Sequence, residues 1–80
     1  MTNNITDRQT FANFIEQLHH DFQTNPDDWT NKDLGDFLEA MSRYTEDIDG
    51  YYKNTDQNIN ADNPSWQVFA DILMGAKVYE

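Results

Sequence analysis

Residues 11–22 read Phe-Ala-Asn-Phe-Ile-Glu-Gln-Leu-His-His-Asp-Phe, and this stretch indicates the fold of the chain. Its apolar residues recur at intervals of three and four positions, which places side chains on one face of an α-helix. They are Phe11, Phe14, Ile15, Leu18 and Phe22. The pattern predicts an amphipathic helix that buries one side against a neighbour, rather than a strand with alternating faces.

The first helix is predicted at about residues 7–23. Thr6 and Gln9 have the spacing of a capping box, in which each side chain satisfies a free backbone N–H at the start of a helix. The Asn-Pro pair at 25–26 ends the helix, since proline disfavours helical geometry in the preceding residue. The acidic residues after the proline are predicted to form one short turn.

A second helix is predicted at about residues 31–48. Thr30 is the expected N-cap, and Trp29 and Leu34 then occupy the positions of a hydrophobic staple around it. Gly50 is expected to close the helix in a left-handed conformation. The apolar stripe of this helix consists of Leu34, Phe37, Leu38, Met41, Tyr44 and Ile48.

A third helix is predicted at about residues 64–78, after a polar loop at 53–63. Asn63 is the expected N-cap, and Pro64 suits the first helical position because its missing N–H is not needed there. The apolar face of this helix is wide, which predicts that it packs against two neighbours. The chain is therefore expected to be all-α, a small antiparallel three-helix bundle in a single domain over residues 1–80.

Acidic residues dominate the charge of the chain. Fifteen Asp and Glu residues oppose five Lys and Arg residues, for a formal net charge of −10. Such a surface repels nucleic acid and anionic membranes and attracts basic proteins. The chain has no cysteine, no apolar run near the ~18–20 residues of a membrane span, and no signal-peptide pattern at its N-terminus. We therefore expect a cytoplasmic protein without disulfides.

The most informative candidate site is an acidic, tyrosine-bearing region at residues 46–62. Carboxylates near the C-terminus of a helix oppose the helix dipole, and such violations of local rules tend to collect at functional sites. Tyrosine is enriched among the residues that dominate protein interfaces. Of the two adjacent tyrosines, one could enter the core while the other faces solvent, or both could cap the end of the bundle. The candidate partner-binding residues are Glu46, Asp47, Asp49, Tyr51, Tyr52, Asp56 and Asp62.

The residues give little support to a metal site or to a catalytic site. The loop at 56–62 alternates oxygen-bearing side chains, but Ala61 and Gln67 stand where a calcium loop requires glycine and glutamate. Glu16 and the two histidines at 19–20 provide only one half of a carboxylate-bridged metal motif. There is no phosphate-binding loop and no nucleophile elbow. We therefore expect no enzyme, no cofactor and no metal site.

Three groups of landmarks resemble an uncharacterised family of short, acidic bacterial helical domains, and the resemblance covers most of the chain. It implies a small helical domain and supplies no catalytic residues. The landmarks are the pattern W-x-N-x-x-L-x-x-F-L from Trp29 to Leu38, Asp-Gly-Tyr-Tyr at 49–52, and Pro-Ser-Trp at 64–66 with Val-Tyr-Glu at 78–80.

The leading functional expectation is a small acidic protein-interaction module that binds a basic protein partner. One concrete form is an immunity-type inhibitor, which blocks a basic toxin surface by complementary charge. Two alternatives remain open at this point. One is a divalent-cation-binding regulatory domain that uses residues 46–62, and the other is a structural homo-oligomer, such as a homodimer, held by apolar edges of the third helix.

Overall fold

The computed structural model describes residues 4–80, and three α-helices account for most of them. The helices are α1 (Arg8–Thr24), α2 (Leu34–Asn54) and α3 (Trp66–Ala76), and a short 3-10 turn (Pro26–Asp28) follows α1. No strand is present within residues 4–80. The prediction of an all-α, three-helix domain is therefore confirmed, while the antiparallel order of the helices stays a prediction.

Helix α1 begins one residue later than predicted because its capping box uses a different pair of side chains. The Asp7 carboxylate accepts a hydrogen bond from the Thr10 backbone N–H at 2.8 Å, and the Thr10 hydroxyl accepts one from the Asp7 backbone N–H at 3.1 Å. The assignment of this box to Thr6 and Gln9 is wrong. The predicted end at the Asn-Pro pair is confirmed, since the 3-10 turn starts at Pro26.

Helix α2 starts three residues later and ends six residues later than predicted. Its N-cap is Asp33, whose carboxylate accepts a hydrogen bond from the Asp36 backbone N–H at 2.7 Å, so the N-cap prediction for Thr30 is wrong. Gly50 does not close the helix, which continues through it to Asn54. The extra turn and a half carries Tyr52 into the core, and burial of so large a side chain stabilises the longer helix.

Helix α3 is two residues shorter at each end than predicted. The Ser65 hydroxyl accepts a hydrogen bond from the Val68 backbone N–H at 3.1 Å, so Ser65 is the N-cap in place of Asn63, and Pro64 lies outside the helix. The predicted pair of neighbours is confirmed, because α3 packs against both α1 and α2. The backbones of α1 and α2 themselves stay more than 8 Å apart at every Cα pair.

The core has two parts, one on each side of α3. Between α1 and α3 it buries Ile5, Phe14, Leu18, Trp29 and Ala70, and between α2 and α3 it buries Ile48, Tyr52 and Val68. Helix α3 contributes to both parts because its apolar face is wide. Removing α3 would therefore leave the other two helices without their main partner.

The segment before α2 is tied to the C-terminal end of α3. The Asn31 side-chain amide donates hydrogen bonds to the backbone carbonyls of Ala76 at 2.9 Å and Tyr79 at 2.8 Å. The Lys77 ammonium bonds the Asp21 carboxylate at 2.8 Å and also lies over the Trp29 ring. These contacts satisfy free carbonyls at the helix end and hold the last residues of the chain against α1 and the segment before α2.

Candidate functional site

The two adjacent tyrosines of the predicted site have different environments. Tyr52 is 1% exposed and packs in the core between α2 and α3, whereas Tyr51 is 40% exposed. Of the two alternatives that the sequence left open, the structure has the one in which one ring enters the core and the other faces solvent. Tyr52 is therefore not available to a partner. Its prediction as a partner-binding residue is wrong, and its role is structural.

The five acidic residues of the predicted site are exposed but do not share one surface. Asp47 and Tyr51 are four residues apart on one side of α2, where the Tyr79 hydroxyl donates a hydrogen bond to Asp47. Glu46 and Asp49 lie on a different side, and Asp49 forms an ion pair there with Lys53 at 3.1 Å. The other two acids, at positions 56 and 62, belong to the loop between α2 and α3.

A cluster of tyrosines surrounds Tyr51, and two of its members were not in the predicted site. The Tyr44 ring centroid lies 6.3 Å from that of Tyr51 and 5.0 Å from that of Tyr79. The sequence places Tyr44 on the apolar stripe of α2, seven residues before Tyr51, so helical spacing could have linked the two. Nothing local in the sequence indicates that Tyr79 folds back to join them.

The tyrosine cluster opens into a small pocket of about 220 Å³. Two tyrosine rings form the aromatic wall of this pocket, and its other lining residues are two apolar side chains, a glycine and an aspartate. Six residues line this tyrosine pocket: Tyr44, Tyr51, Asp71, Met74, Gly75 and Val78.

Asp71 is the buried carboxylate of the tyrosine pocket, at 8% exposure. Its Oδ2 accepts a hydrogen bond from the Tyr52 hydroxyl at 2.6 Å, and its Oδ1 accepts one from the Gln67 side-chain amide at 3.0 Å. Within residues 4–80, no ion pair involves Asp71. An acidic residue between Ala70 and Ile72, on a helix with no other charged residue, was the sequence feature that could have marked it.

The pKa values of the Tyr44, Tyr52 and Tyr79 hydroxyls are raised above the usual value for tyrosine. Burial, aided by the nearby Tyr51 and Asp71, raises the pKa of Tyr44 to about 12. Burial and the hydrogen bond to Asp71 also raise the pKa of Tyr52, and the hydrogen bond to Asp47 raises that of Tyr79. These three hydroxyls therefore stay uncharged at physiological pH, beside the carboxylates of Asp47 and Asp71.

The basic residues of the chain are mostly used in pairs with its own acids. Four of the five Lys and Arg side chains form such ion pairs within residues 4–80. Apart from the buried Asp71, the carboxylates outside these pairs are exposed to solvent. The pairs are Lys32–Asp27 at 3.7 Å, Arg43–Glu39, Lys53–Asp49 at 3.1 Å and Lys77–Asp21 at 2.8 Å.

A second surface feature, an apolar groove of about 340 Å³, is lined by residues of α1, α2 and α3 and by Trp29. Two large side chains of α2, the helix that contributes Phe37 to the groove, remain exposed, with Leu34 at 72% and Leu38 at 51% exposure. The predicted hydrophobic staple that would have covered Leu34 is therefore wrong. The groove is lined by Ile15, Leu18, His19, Phe22, Trp29, Phe37 and Leu73.

Metal ligands do not converge in the described part of the chain. Within residues 4–80, no group of three or more His, Cys, Asp or Glu side chains could hold a metal ion. His19 lines the apolar groove, while Glu16 and His20 line a separate surface depression. The alternative of a divalent-cation-binding domain thus gains no observation of its own and stays a prediction.

The residues 7–80 match the model of a family of unknown function, DUF7660. The chain belongs to this family. The match confirms the resemblance to an uncharacterised domain that the landmarks indicated. No curated protein and no solved structure matches the chain. Across residues 4–80, no helix has the length and apolar character needed to span a membrane.

Proposed function

We propose that this chain is a non-enzymatic protein-interaction domain that binds a basic protein partner through the end of α2. The observation that carries the proposal is the distribution of charge around the half-exposed Tyr51. Four of the five basic side chains are paired within the chain, so the unpaired carboxylates produce a negative field. A basic partner would gain both this attraction and an aromatic contact.

The revised binding surface is smaller than the one expected from the sequence. It comprises Asp47 and Tyr51 on α2, with Tyr44 and Tyr79 beside them. Tyrosine rings provide large contact areas with little loss of conformational freedom, which suits a binding surface. The carboxylates add attraction over a longer range and speed association.

An immunity-type inhibitor of a basic toxin is the concrete form of this proposal that we favour. A small acidic domain can cover a positively charged surface and compete with its natural substrate. A chain without cysteine suits the reducing cytoplasm, where such an inhibitor would protect its host.

The proposal is tested by isolating a partner from host lysate and then measuring its affinity for defined variants. We expect binding by the wild-type domain to weaken steeply as salt rises, since exposed charges are screened within about 8–10 Å at physiological ionic strength. The variant Asp47→Asn should weaken binding about tenfold, the scale of one charge-assisted contact.

A charge-matched control separates the proposed surface from the effect of net charge alone. The variant Glu16→Gln removes the same charge from α1, and we expect an affinity within about twofold of wild type. Equal losses in both variants would contradict the proposed surface. Binding that ignores salt would contradict the charge-based proposal itself.

The apolar groove supports a second candidate, a homodimer of this chain. The groove contains one titratable side chain, His19, so two copies could meet there with their acidic surfaces turned away. The exposed Leu34 and Leu38 would then be covered, as large apolar patches usually are. Light scattering at high protein concentration tests this candidate: a dimer that Leu38→Glu dissociates would support it, and a strict monomer would end it.

A further inference from the structure

The tyrosine pocket has the size of a single side chain. Its volume of about 220 Å³ lies below the range of about 300–1,000 Å³ that is usual for pockets binding drug-sized molecules. It opens beside the exposed side chains of Tyr51 and Val78. A partner could therefore insert one extended side chain from the surface without moving either helix.

The carboxylate of Asp71 gives the tyrosine pocket a preference for a positive charge. A buried carboxylate is costly unless it is hydrogen-bonded and paired. The hydroxyl of Tyr52 and the amide of Gln67 each occupy one acceptor site, and a carboxylate has about four. A cation that entered the pocket would therefore find unused acceptor sites on a carboxylate that forms no ion pair within residues 4–80.

The aromatic wall adds a second attraction for a cation. The rings of Tyr44 and Tyr51 are inclined to each other by 50°, with centroids 6.3 Å apart. Tyr44 is held in place by close packing against Gly75, where even a Cβ atom would overlap its ring. Ring faces attract cations, and Met74 and Val78 offer apolar contact to the methylene groups that carry the charge.

The free acceptor sites favour an ammonium over a guanidinium group. A guanidinium group binds a carboxylate best through two parallel hydrogen bonds, one to each oxygen. Both oxygens of Asp71 already accept a hydrogen bond from within the domain, which hinders that arrangement. An ammonium group is compact and needs only one oxygen at a time.

We infer that the tyrosine pocket binds the ammonium group of a lysine side chain, held between Tyr44 and Tyr51 against the Asp71 carboxylate. The inference deepens the proposed function and rests on it for the source of the lysine, which is the basic protein partner. The lysine stem contacts Met74 and Val78, and its charge completes the pairing of the buried carboxylate.

The test uses n-butylammonium as a lysine side-chain probe and follows the tyrosine ring signals by NMR. We expect saturable shifts at Tyr44 and Tyr51 in wild-type protein, and none with the isosteric neutral probe n-butanol. Binding of n-butylguanidinium should be at least about threefold weaker, since it cannot form both parallel hydrogen bonds. Equal shifts with n-butanol would show an apolar site only and would overturn the inference.

Two variants of the exposed Tyr51 provide a matched pair. Tyr51→Phe keeps the aromatic face and should bind n-butylammonium within about twofold of wild type, whereas Tyr51→Leu should bind at least about fivefold more weakly. Asp71→Asn should weaken binding about tenfold or more, if circular dichroism confirms that it folds. Unchanged binding in Tyr51→Leu would overturn the inference whether or not the Asp71 variant folds.

The experiments distinguish a failure of the inference on the tyrosine pocket from a failure of the proposed function. If n-butylammonium fails to bind while the basic partner still binds in a salt-dependent manner, the pocket inference is overturned and the proposed function stands. If n-butylammonium binds as described but no basic partner is found, the pocket is supported and the proposed function is the part contradicted.

Discussion

Gly75→Ala tests the contact between α3 and α2 on which the tyrosine cluster depends. A Cβ atom added to Gly75 would lie 2.5 Å from Cδ2 of the Tyr44 ring and closer still to Cε2 and Cζ. Ordinary carbon contacts are about 3.5–4.0 Å, so the ring would have to leave its position. Overpacking of this kind costs about 1–3 kcal/mol. The change from glycine to alanine within a helix otherwise stabilises by about 1 kcal/mol.

Gly50→Ala is the matched control, since Gly50 lies inside α2 with nothing within 4 Å of an added Cβ. We expect Gly50→Ala to raise the free energy of unfolding by about 1 kcal/mol. The net effect of Gly75→Ala should be a loss of up to about 2 kcal/mol, so that the two variants differ by about 1–3 kcal/mol. Urea denaturation followed by fluorescence of the buried Trp29 measures both. Equal stabilisation by the two substitutions would refute the close packing of Tyr44 on Gly75.

Three further predictions concern the same part of the fold. Tyr52→Phe removes a donor from buried Asp71 and should lower the free energy of unfolding by about 1–3 kcal/mol in urea denaturation, and an unchanged midpoint would contradict the buried hydrogen bond. Asn31→Ala removes two hydrogen bonds to carbonyls at the end of α3 and should cost about 1–3 kcal/mol, while the exposed Asn58→Ala stays within about 0.5 kcal/mol of wild type. The raised pKa of Tyr44, about 12, means that the folded state holds this proton above pH 10 while the unfolded state loses it, so stability should fall between pH 10 and pH 12. Tyr44→Phe should reduce that fall in alkaline denaturation, and an identical pH profile would count against the buried hydroxyl.

The helices could be predicted from the sequence because their apolar stripes are regular, but their first residues could not be. Polar residues that can cap a helix stand at several neighbouring positions, such as Thr30 and Asp33 before α2. Each could satisfy the free N–H groups locally. Which of the two residues caps α2 depends on the position of the segment from Trp29 to Asn31. Hydrogen bonds to the C-terminal end of the chain hold that segment in place, so the helix begins after it.

The candidate site was predictable only in part, for a related reason. The acidic region and the exposed Tyr51 could be inferred from composition and from the alternation of adjacent side chains. Asp71 and Tyr79 could not be linked to them, because contacts over about 20 and 30 residues leave no periodic pattern in the sequence. The same holds for Gly75, whose packing against Tyr44 is decided by how closely two helices approach.

The sequence by itself determined that this protein is a small, acidic, helical domain, because helix formation and net charge depend on residue types and on spacings of three and four. Tertiary structure alone decided three other features. It extended α2 through Gly50, since the longer helix buries Tyr52. It packed α3 against two helices whose backbones stay more than 8 Å apart, and it left an apolar groove open. It also enclosed one carboxylate among tyrosines, since burial depends on which surfaces pack together and not on the order of residues along the chain.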